Sequence, residues 1–346
     1  MKTAFIDRDG VLIYEPLDTQ QIDSLEKLKI LPGVIAGLLN LKQAGYSLVM
    51  ISNQNGAGTP NFPTEDFEAP QQALLAQLKT AGIKFEEIFI CKHLPSDNCP
   101  CRKPKTGLVD TFITQVDRKN SIMIGDRESD MEFARNIGVR GIKVQTNTLF
   151  PRFAYIKRET TETQIELELN LDGTGEYEIK TPIGFFNHML ELFSKHSLID
   201  LRITAIGDTD KDDHHTIEDV GIALGQAIAK AVGTKQGICR YGAQTLPMDE
   251  VLCLSAVDLS GRFSFETNYE AKREMVNDFP TEMLFHFFQS IAINAMMNIH
   301  IQFLNSGKNE HHRLEAAFKS FGRALRQATE YDPRTRNSLP STKGTL

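Results

Sequence analysis

The chain has 346 residues, with 38 Lys and Arg against 45 Asp and Glu, a formal net charge of -7 and 41% hydrophobic residues. Basic and acidic residues number 18 each from Met1 to Arg152, leaving 20 against 27 in the remainder. No broad basic face is therefore available to track a nucleic-acid backbone, and small phosphorylated substrates held by a few placed cations fit better than polymers. No run of about 18 apolar residues suggests a membrane span, and Met1-Lys2-Thr3-Ala4-Phe5 passes directly into a strand-like segment in place of a signal peptide, which points to a cytoplasmic protein.

The length suits two domains, and the rhythm of the sequence changes near residue 150, giving expected domains 1–150 and 151–346. In the first, apolar runs at Ala4–Ile6, Ser47–Ile51, Glu86–Ile90, Ile122–Ile124 and Gly141–Val144 alternate with expected helices at Gly33–Ala44, Pro70–Ala81, Gly107–Arg118 and Glu128–Ile137. That alternation predicts an α/β fold with a Rossmann-like parallel sheet, whose ligands sit at the carboxyl ends of the strands. The first run ends in Asp7-Arg8-Asp9-Gly10, the second in Ser52-Asn53-Gln54 and the fourth in Gly125-Asp126-Arg127-Glu128-Ser129-Asp130. Carboxylates gathered at one edge repel unless a cation sits among them, and an oxygen-rich site with room for water suits Mg2+. Lys103, in Arg102-Lys103-Pro104, can neutralise a phosphate there.

Five cysteines is an odd number, and three of them lie between Cys91 and Cys101. Cys91, His93, Cys99 and Cys101 match a closed tetrahedral Zn2+ site, structural because four protein ligands leave no open position. It would pin the loop that delivers Lys103.

Beyond residue 150 the pattern turns to alternating strands such as Gln164–Leu169, and a repeat is visible. His188 precedes His214 by 26 residues and His286 precedes His311 by 25, and each His-His pair is followed by Glu, as His214-His215-Thr216-Ile217-Glu218 and His311-His312-Arg313-Leu314-Glu315. This spacing predicts a duplicated α+β sandwich of ββαβα-like repeats. Adjacent helical histidines point about 100° apart, so each pair is suited to two metals and not one, while the Glu, three or four residues on, can share a face with either of them. Of the nine histidines only His196 and His300 fall outside the proposed sites. Nitrogen-rich donors with some carboxylate fit Mn2+, Fe2+ or Zn2+.

The motifs of the first half resemble the haloacid dehalogenase superfamily of phosphatases, in the branch that contains histidinol-phosphate and heptose-bisphosphate phosphatases. The resemblance implies Asp7 as the nucleophile forming an aspartyl-phosphate, Asp9 as general acid and base, and Ser52 and Lys103 on the phosphoryl group. It also implies Asn53 among the substrate-binding residues and Mg2+ held by Asp7, Asp126 and the Asp9 backbone carbonyl, with Asp130 in the outer shell. Glu15 is a candidate partner for an ammonium group on the substrate.

The second half resembles imidazoleglycerol-phosphate dehydratase in Asn170–Gly175, Phe186–Leu190, Asp212–Asp219, Pro247–Glu250 and Pro340–Gly344. That resemblance implies two Mn2+ ions bound by His188, His214, His215, Glu218, His286, His311, His312 and Glu315. It further implies phosphate binding by Arg240, Arg262, Ser341 and Lys343, Glu162 as the acid/base carboxylate, and a homo-oligomeric shell of 24 subunits. Asn187 stands where the family usually has Asp, so a weaker hold on the metal is expected.

Taken together, the two resemblances predict a fused pair of histidine-biosynthesis enzymes. One competing reading gives the first half another small phosphate ester, such as a heptose bisphosphate. Another makes the second half a metal-assembled scaffold without catalysis, for which Glu162, Arg240, Arg262 and Lys343 would be superfluous.

Overall fold

The computed structural model describes residues 1–208, 212–335 and 338–344, and the chain forms two compact units, Met1–Pro151 and Arg152–Leu346. In the first, β1 (Thr3–Ile6), β2 (Ser47–Asn53), β3 (Glu87–Cys91), β4 (Ile122–Gly125) and β5 (Arg140–Lys143) form one sheet in the order β3-β2-β1-β4-β5. All neighbouring pairs are parallel, and β1 and β4 are buried along their whole length, as strands covered on both faces must be. Three α-helices accompany the sheet: α1 (Val34–Gln43), α2 (Thr64–Thr80) and α3 (Glu128–Ile137). Because β1 lies between β2 and β4 and all three run the same way, the segments leaving their carboxyl ends emerge side by side.

Two elements differ from the sequence expectation. The segment 107–118 forms no α-helix but turns and a short 3-10 helix at Phe112–Gln115. Its Val109, Phe112, Ile113 and Val116 are buried at helical spacing, yet the β-branched residues Val109, Thr111, Ile113, Thr114 and Val116 lose rotamer freedom in an α-helix, which tips a short segment to tighter turns. Helix α2 begins at Thr64 and carries Pro70 inside it. Glu65 and Asp66 in its first turn complement the helix dipole, and burial of Phe67, Gln71, Leu74 and Leu78 along one face offsets the bond lost at Pro70.

In the second unit β6 (Phe153–Glu159), β7 (Thr163–Asn170), β8 (Tyr177–Lys180) and β9 (Asp200–Gly207) form a sheet in the order β6-β7-β9-β8, with helices α4 (Gly184–Ser197) and α5 (His214–Val232). The same arrangement recurs in β10 (Tyr241–Met248), β11 (Val251–Asp258), β12 (Ser264–Thr267) and, after the small hairpin of β13 (Met275–Val276) and β14 (Phe279–Pro280), β15 (Asn298–Asn305). Here the order is β10-β11-β15-β12, with helices α6 (Met283–Ala295) and α7 (Glu310–Thr329). Each repeat therefore holds one more short strand than the ββαβα pattern, β8 or β12, paired parallel to the strand that follows its first helix.

Strict alternation on β7 and β11 points Ile165, Leu167 and Leu169, and Val251, Cys253 and Val257, into one continuous core. The helices of the two repeats pack in crossed pairs, α5 on α6 and α4 on α7. Glycines allow close approach: a Cβ at Gly221 would stand 2.9 Å from the Phe287 carbonyl oxygen, and one at Gly322 3.0 Å from that of Phe193. No helix among the described residues is long and apolar enough to cross a membrane.

Replacing Gly221 with Val should lower the unfolding free energy of the second unit by about 1–3 kcal/mol through overpacking of the α5–α6 contact. Denaturant unfolding measures it, and an unchanged midpoint would show that the two helices part without cost.

Candidate active and metal sites

At the carboxyl edge of the parallel sheet the structure brings together Asp7, Asp126 and Asp130, with one oxygen of each within 4.8 Å of the others and all three side chains buried. Lys103 reaches between them, its Nζ 2.9 Å from Asp7 Oδ1 and 2.7 Å from Asp130 Oδ1, and also donates to the Ile51 carbonyl (3.0 Å). Burial pushes the Asp7 carboxyl up, to about 7, against the pull of Lys103, and burial raises that of Asp126 as well. For Lys103 burial works downward, but the two carboxylates outweigh it and its ammonium is favoured. Asp126 Oδ1 is buried with no hydrogen-bond partner, and this acceptor among three carboxylates is what a hard divalent cation satisfies. Asp130 sits in the cluster itself, while its Oδ2 accepts from Arg127 N (3.0 Å) at the start of α3.

Asp9 lies beside this cluster, accepting from Gln54 Nε2 and paired with the fully buried Arg8 (2.7 Å). Gln54 Nε2 also donates to Ser52 Oγ (2.9 Å), tying the β1 and β2 ends together. Asn53, an expected substrate contact, also holds the neighbouring loop: its Oδ1 accepts from Lys103 N (3.0 Å) and its Nδ2 donates to Lys103 O (3.1 Å), so both ends of the amide clamp the lysine's backbone. Glu15 is buried and ion-paired with Arg127, and Asn147 holds its backbone at both N–H (2.6 Å) and carbonyl (2.8 Å). Its carboxylate is thus already engaged by a protein cation.

Cys91 ends β3, beside Asn53 in the neighbouring strand. Its sulfur lies 3.7 Å from Cys99 Sγ, 3.4 Å from Cys101 Sγ and 3.7 Å from His93 Nδ1, and His93 Nδ1 lies 3.1 Å from Cys101 Sγ. Three thiols and a ring nitrogen this close together could hold one metal ion among them.

In the second unit the crossed helix pairs sort the histidines across the repeats. His188 on α4 meets His311 and Glu315 on α7, with Glu315 Oε1 3.2 Å from His188 Nε2 and 2.8 Å from His311 Nε2. Burial would raise the Glu315 carboxyl, but hydrogen bonds from Lys319, His311 and His188 outweigh it and hold it down at about 2. His214 on α5 packs against His286 on α6 with the rings tilted at 56° and their centroids 4.8 Å apart, and Glu218 Oε2 lies 3.7 Å from His214 Nε2. His215 and His312 fall in neither group. His215 Nδ1 lies 3.2 Å from Asp208 and its Nε2 3.8 Å from Glu162, whereas His312 Nδ1 lies 2.9 Å from Glu250 and its Nε2 3.4 Å from Asp249.

Arg240 is committed within the chain: Nε and Nη2 bind Asp258 (2.7 and 3.2 Å), and Nη1 donates to the Pro340 carbonyl (2.9 Å). That last bond brings it beside Ser341, whose Oγ accepts from Lys343 N (3.2 Å), and a guanidinium's five donors leave two unspent. Arg262 and Lys343 are exposed. Asn187, expected beside a metal histidine, instead accepts from Thr181 N (2.9 Å) and donates to Thr181 O (3.1 Å), a pairing that a carboxylate could make only at the N–H.

The family model for imidazoleglycerol-phosphate dehydratase matches residues 181–325, within the second unit, and that for haloacid dehalogenase-like hydrolases matches 100–152. The histidine biosynthesis bifunctional protein HisB of Legionella pneumophila (strain Lens) is 48% identical over 357 aligned positions, covering 100% of this chain and 99% of its own. The chain belongs to the HisB family. It is a bifunctional enzyme of histidine biosynthesis, with a phosphatase-type hydrolase half and a dehydratase lyase half. Among solved structures, an imidazoleglycerol-phosphate dehydratase from Staphylococcus aureus subsp. aureus N315 is 38% identical, covering 52% of this chain and 99% of that one, with a TM-score of 0.48. A D,D-heptose 1,7-bisphosphate phosphatase from B. bronchiseptica is 30% identical over 42% of this chain and 82% of that one, with a TM-score of 0.39.

Several residues that shape these HisB sites have little signal in the sequence. Gln54 stands out only as a neighbour of Ser52, and Thr146, whose hydroxyl donates to Asp126 Oδ2 (2.6 Å), carries no signal at all. Asp208 gave none either, since an isolated Asp after a strand is ordinary loop chemistry.

Asn53→Ala should reduce hydrolase turnover roughly 10- to 100-fold by loosening Lys103 from the Asp7–Asp130 pair, with dehydratase turnover unchanged. Steady-state kinetics of both activities check it, and full hydrolase turnover in the variant would show that the loop holds Lys103 without this clamp.

Proposed function

We propose that residues 1–150 hydrolyse L-histidinol phosphate and that residues 151–346 dehydrate imidazoleglycerol phosphate to imidazole acetol phosphate. The observation that carries this reading is end-to-end similarity to a bifunctional histidine-biosynthesis protein, since a pathway that uses both reactions accounts for their fusion. In the first unit Asp7 attacks phosphorus to form an aspartyl-phosphate while Asp9 gives its proton to the leaving alkoxide, then takes one from the water that hydrolyses the intermediate. Lys103 neutralises charge on Asp7 and on the phosphoryl group, and Ser52 binds that group. Asp7, Asp126 and the Asp9 backbone carbonyl would hold Mg2+, which supplies further charge neutralisation when bound. Cys91, His93, Cys99 and Cys101 would hold Zn2+ and so fix the loop that carries Lys103.

In the second unit the difficulty is a carbon-bound hydrogen with no neighbouring carbonyl to acidify it. The histidines with Glu218 and Glu315 would hold two Mn2+ ions, which lend acidity by drawing charge from the imidazole when bound. Glu162 takes the carbon-bound proton and passes it to the hydroxyl that leaves the neighbouring carbon as water, the enol that remains becomes the ketone of imidazole acetol phosphate, and Arg240, Arg262, Ser341 and Lys343 bind the phosphate. His215 and His312 stand apart from the two His-Glu groups of their own chain, and we assign them to metals shared with neighbouring subunits in a 24-subunit shell.

In Asp7→Asn, phosphate release from histidinol phosphate should fall by at least roughly 10^3-fold while imidazoleglycerol-phosphate turnover persists. Wild-type protein that released phosphate from a heptose bisphosphate and not from histidinol phosphate would move the first unit to the other substrate. Removal of metal by a chelator should lower both dehydratase turnover and particle size on a sizing column, restored together by Mn2+; chelated protein of undiminished size would separate assembly from metal.

A further inference from the structure

The two His-Glu groups of the second unit are related by the internal repeat but are not built alike. In the second repeat, Glu310 opens α7 directly before His311 and His312, and it is buried. Both of its oxygens accept from Arg313 Nη1 (3.1 and 3.0 Å), the Tyr269 hydroxyl donates to Oε1, and the Lys272 backbone N–H donates to Oε2 (3.2 Å). Arg313 is itself buried, its guanidinium carbon 4.8 Å from the Tyr269 ring centroid and 5.4 Å from that of Phe303. The loop that carries Tyr269 is fastened to β15, where Asn268 accepts from Phe303 N (2.8 Å) and donates to Phe303 O (3.2 Å). One buried acid thus joins the first turn of α7 to a loop that Asn268 in turn fastens to a strand.

The first repeat has Asp213 and Thr216 at the corresponding places before and after His214-His215. Asp213 is only partly buried and makes no capping bond to α5, and the Thr216 hydroxyl is buried with no hydrogen-bond partner. The consequence is visible at the donors. His188, His311 and Glu315 converge within 4.8 Å of one another, whereas His214, His286 and Glu218 do not form such a three-donor group, His214 standing 3.7 Å from Glu218. A ligand set already in place loses less freedom when an ion arrives, so it binds that ion more tightly.

We propose that Tyr269, Glu310 and Arg313 are positioning residues that make the His188/His311/Glu315 position the tighter of two divalent-metal positions, filled before the His214/His286/Glu218 position. The inference rests on the reading that these donors hold metal. Its test is titration of metal-stripped full-length protein with Mn2+ alone, free Mn2+ being followed by electron paramagnetic resonance. Two classes of bound ion should appear, with Glu315→Gln abolishing the tighter and Glu218→Gln the weaker. Tyr269→Phe, which removes one hydroxyl and keeps the ring under Arg313, should weaken the tighter class by roughly 10-fold and leave the weaker class and the far-ultraviolet circular dichroism of the metal-free protein unaltered. A single class in the wild type, or assignment of the tighter class to Glu218, overturns the proposal even if Tyr269→Phe does not fold. Retention of both affinities in a folded Tyr269→Phe overturns the role of the lock. Protein that takes up no Mn2+ refutes the metal reading itself, a result distinct from two equal classes.

Discussion

The ammonium of Lys103, held between Asp7 and Asp130, is the interaction on which the first half depends. Three buried carboxylates at one sheet edge repel one another and each loses hydration, so without an internal cation the edge would either protonate or open. Much of the surrounding structure delivers that one charge. Asn53 clamps the lysine's backbone from the end of β2, and the Cys91–Cys101 cluster ties the same loop to the end of β3. The parallel order β2-β1-β4 supplies the carboxylate and the clamp from adjacent strands.

The second half meets a related difficulty with the same device. Glu315 is buried beside two histidines, and Lys319 one turn further along α7 helps keep it ionised. What differs is the scaffold. Strand ends gather the groups in the first unit, whereas in the second the groups lie on helices, whose close approach is helped by glycines such as Gly221, Gly225 and Gly322 that remove side chains from the contacts. Fusion has therefore joined two independent solutions to the cost of burying charge, each with its own core.

The crossing of helices between repeats has a chemical consequence. Each His-His pair sends one imidazole inward to a group completed by the other repeat and the other imidazole elsewhere, to Asp208 and Glu162 or to Asp249 and Glu250. Adjacent helical residues diverge by about 100°, so this division follows from helix geometry once α5 and α7 are in place. It also sets Glu162, on the turn between β6 and β7, next to an imidazole and not within a metal group.

Local pattern alone determined the parallel sheet, the duplication, the cysteine cluster and the carboxylates at the strand ends, because the alternation of strands with helices and ligand spacing at short range are written in periodicity and neighbouring residue types, whereas the strand order is not. The 3-10 segment near Phe112 was not legible because its apolar spacing is helical while its β-branched residues disfavour an α-helix, and Pro70 was not legible within α2 because burial of one helix face outweighs the local preference of proline there. Nor could sequence tell that His188 belongs with His311 and Glu315, that Asn53 holds Lys103, or that Arg240 is bound to Asp258. Those pairings join residues far apart in the chain, and only the packing of one element on another fixes which side chains meet.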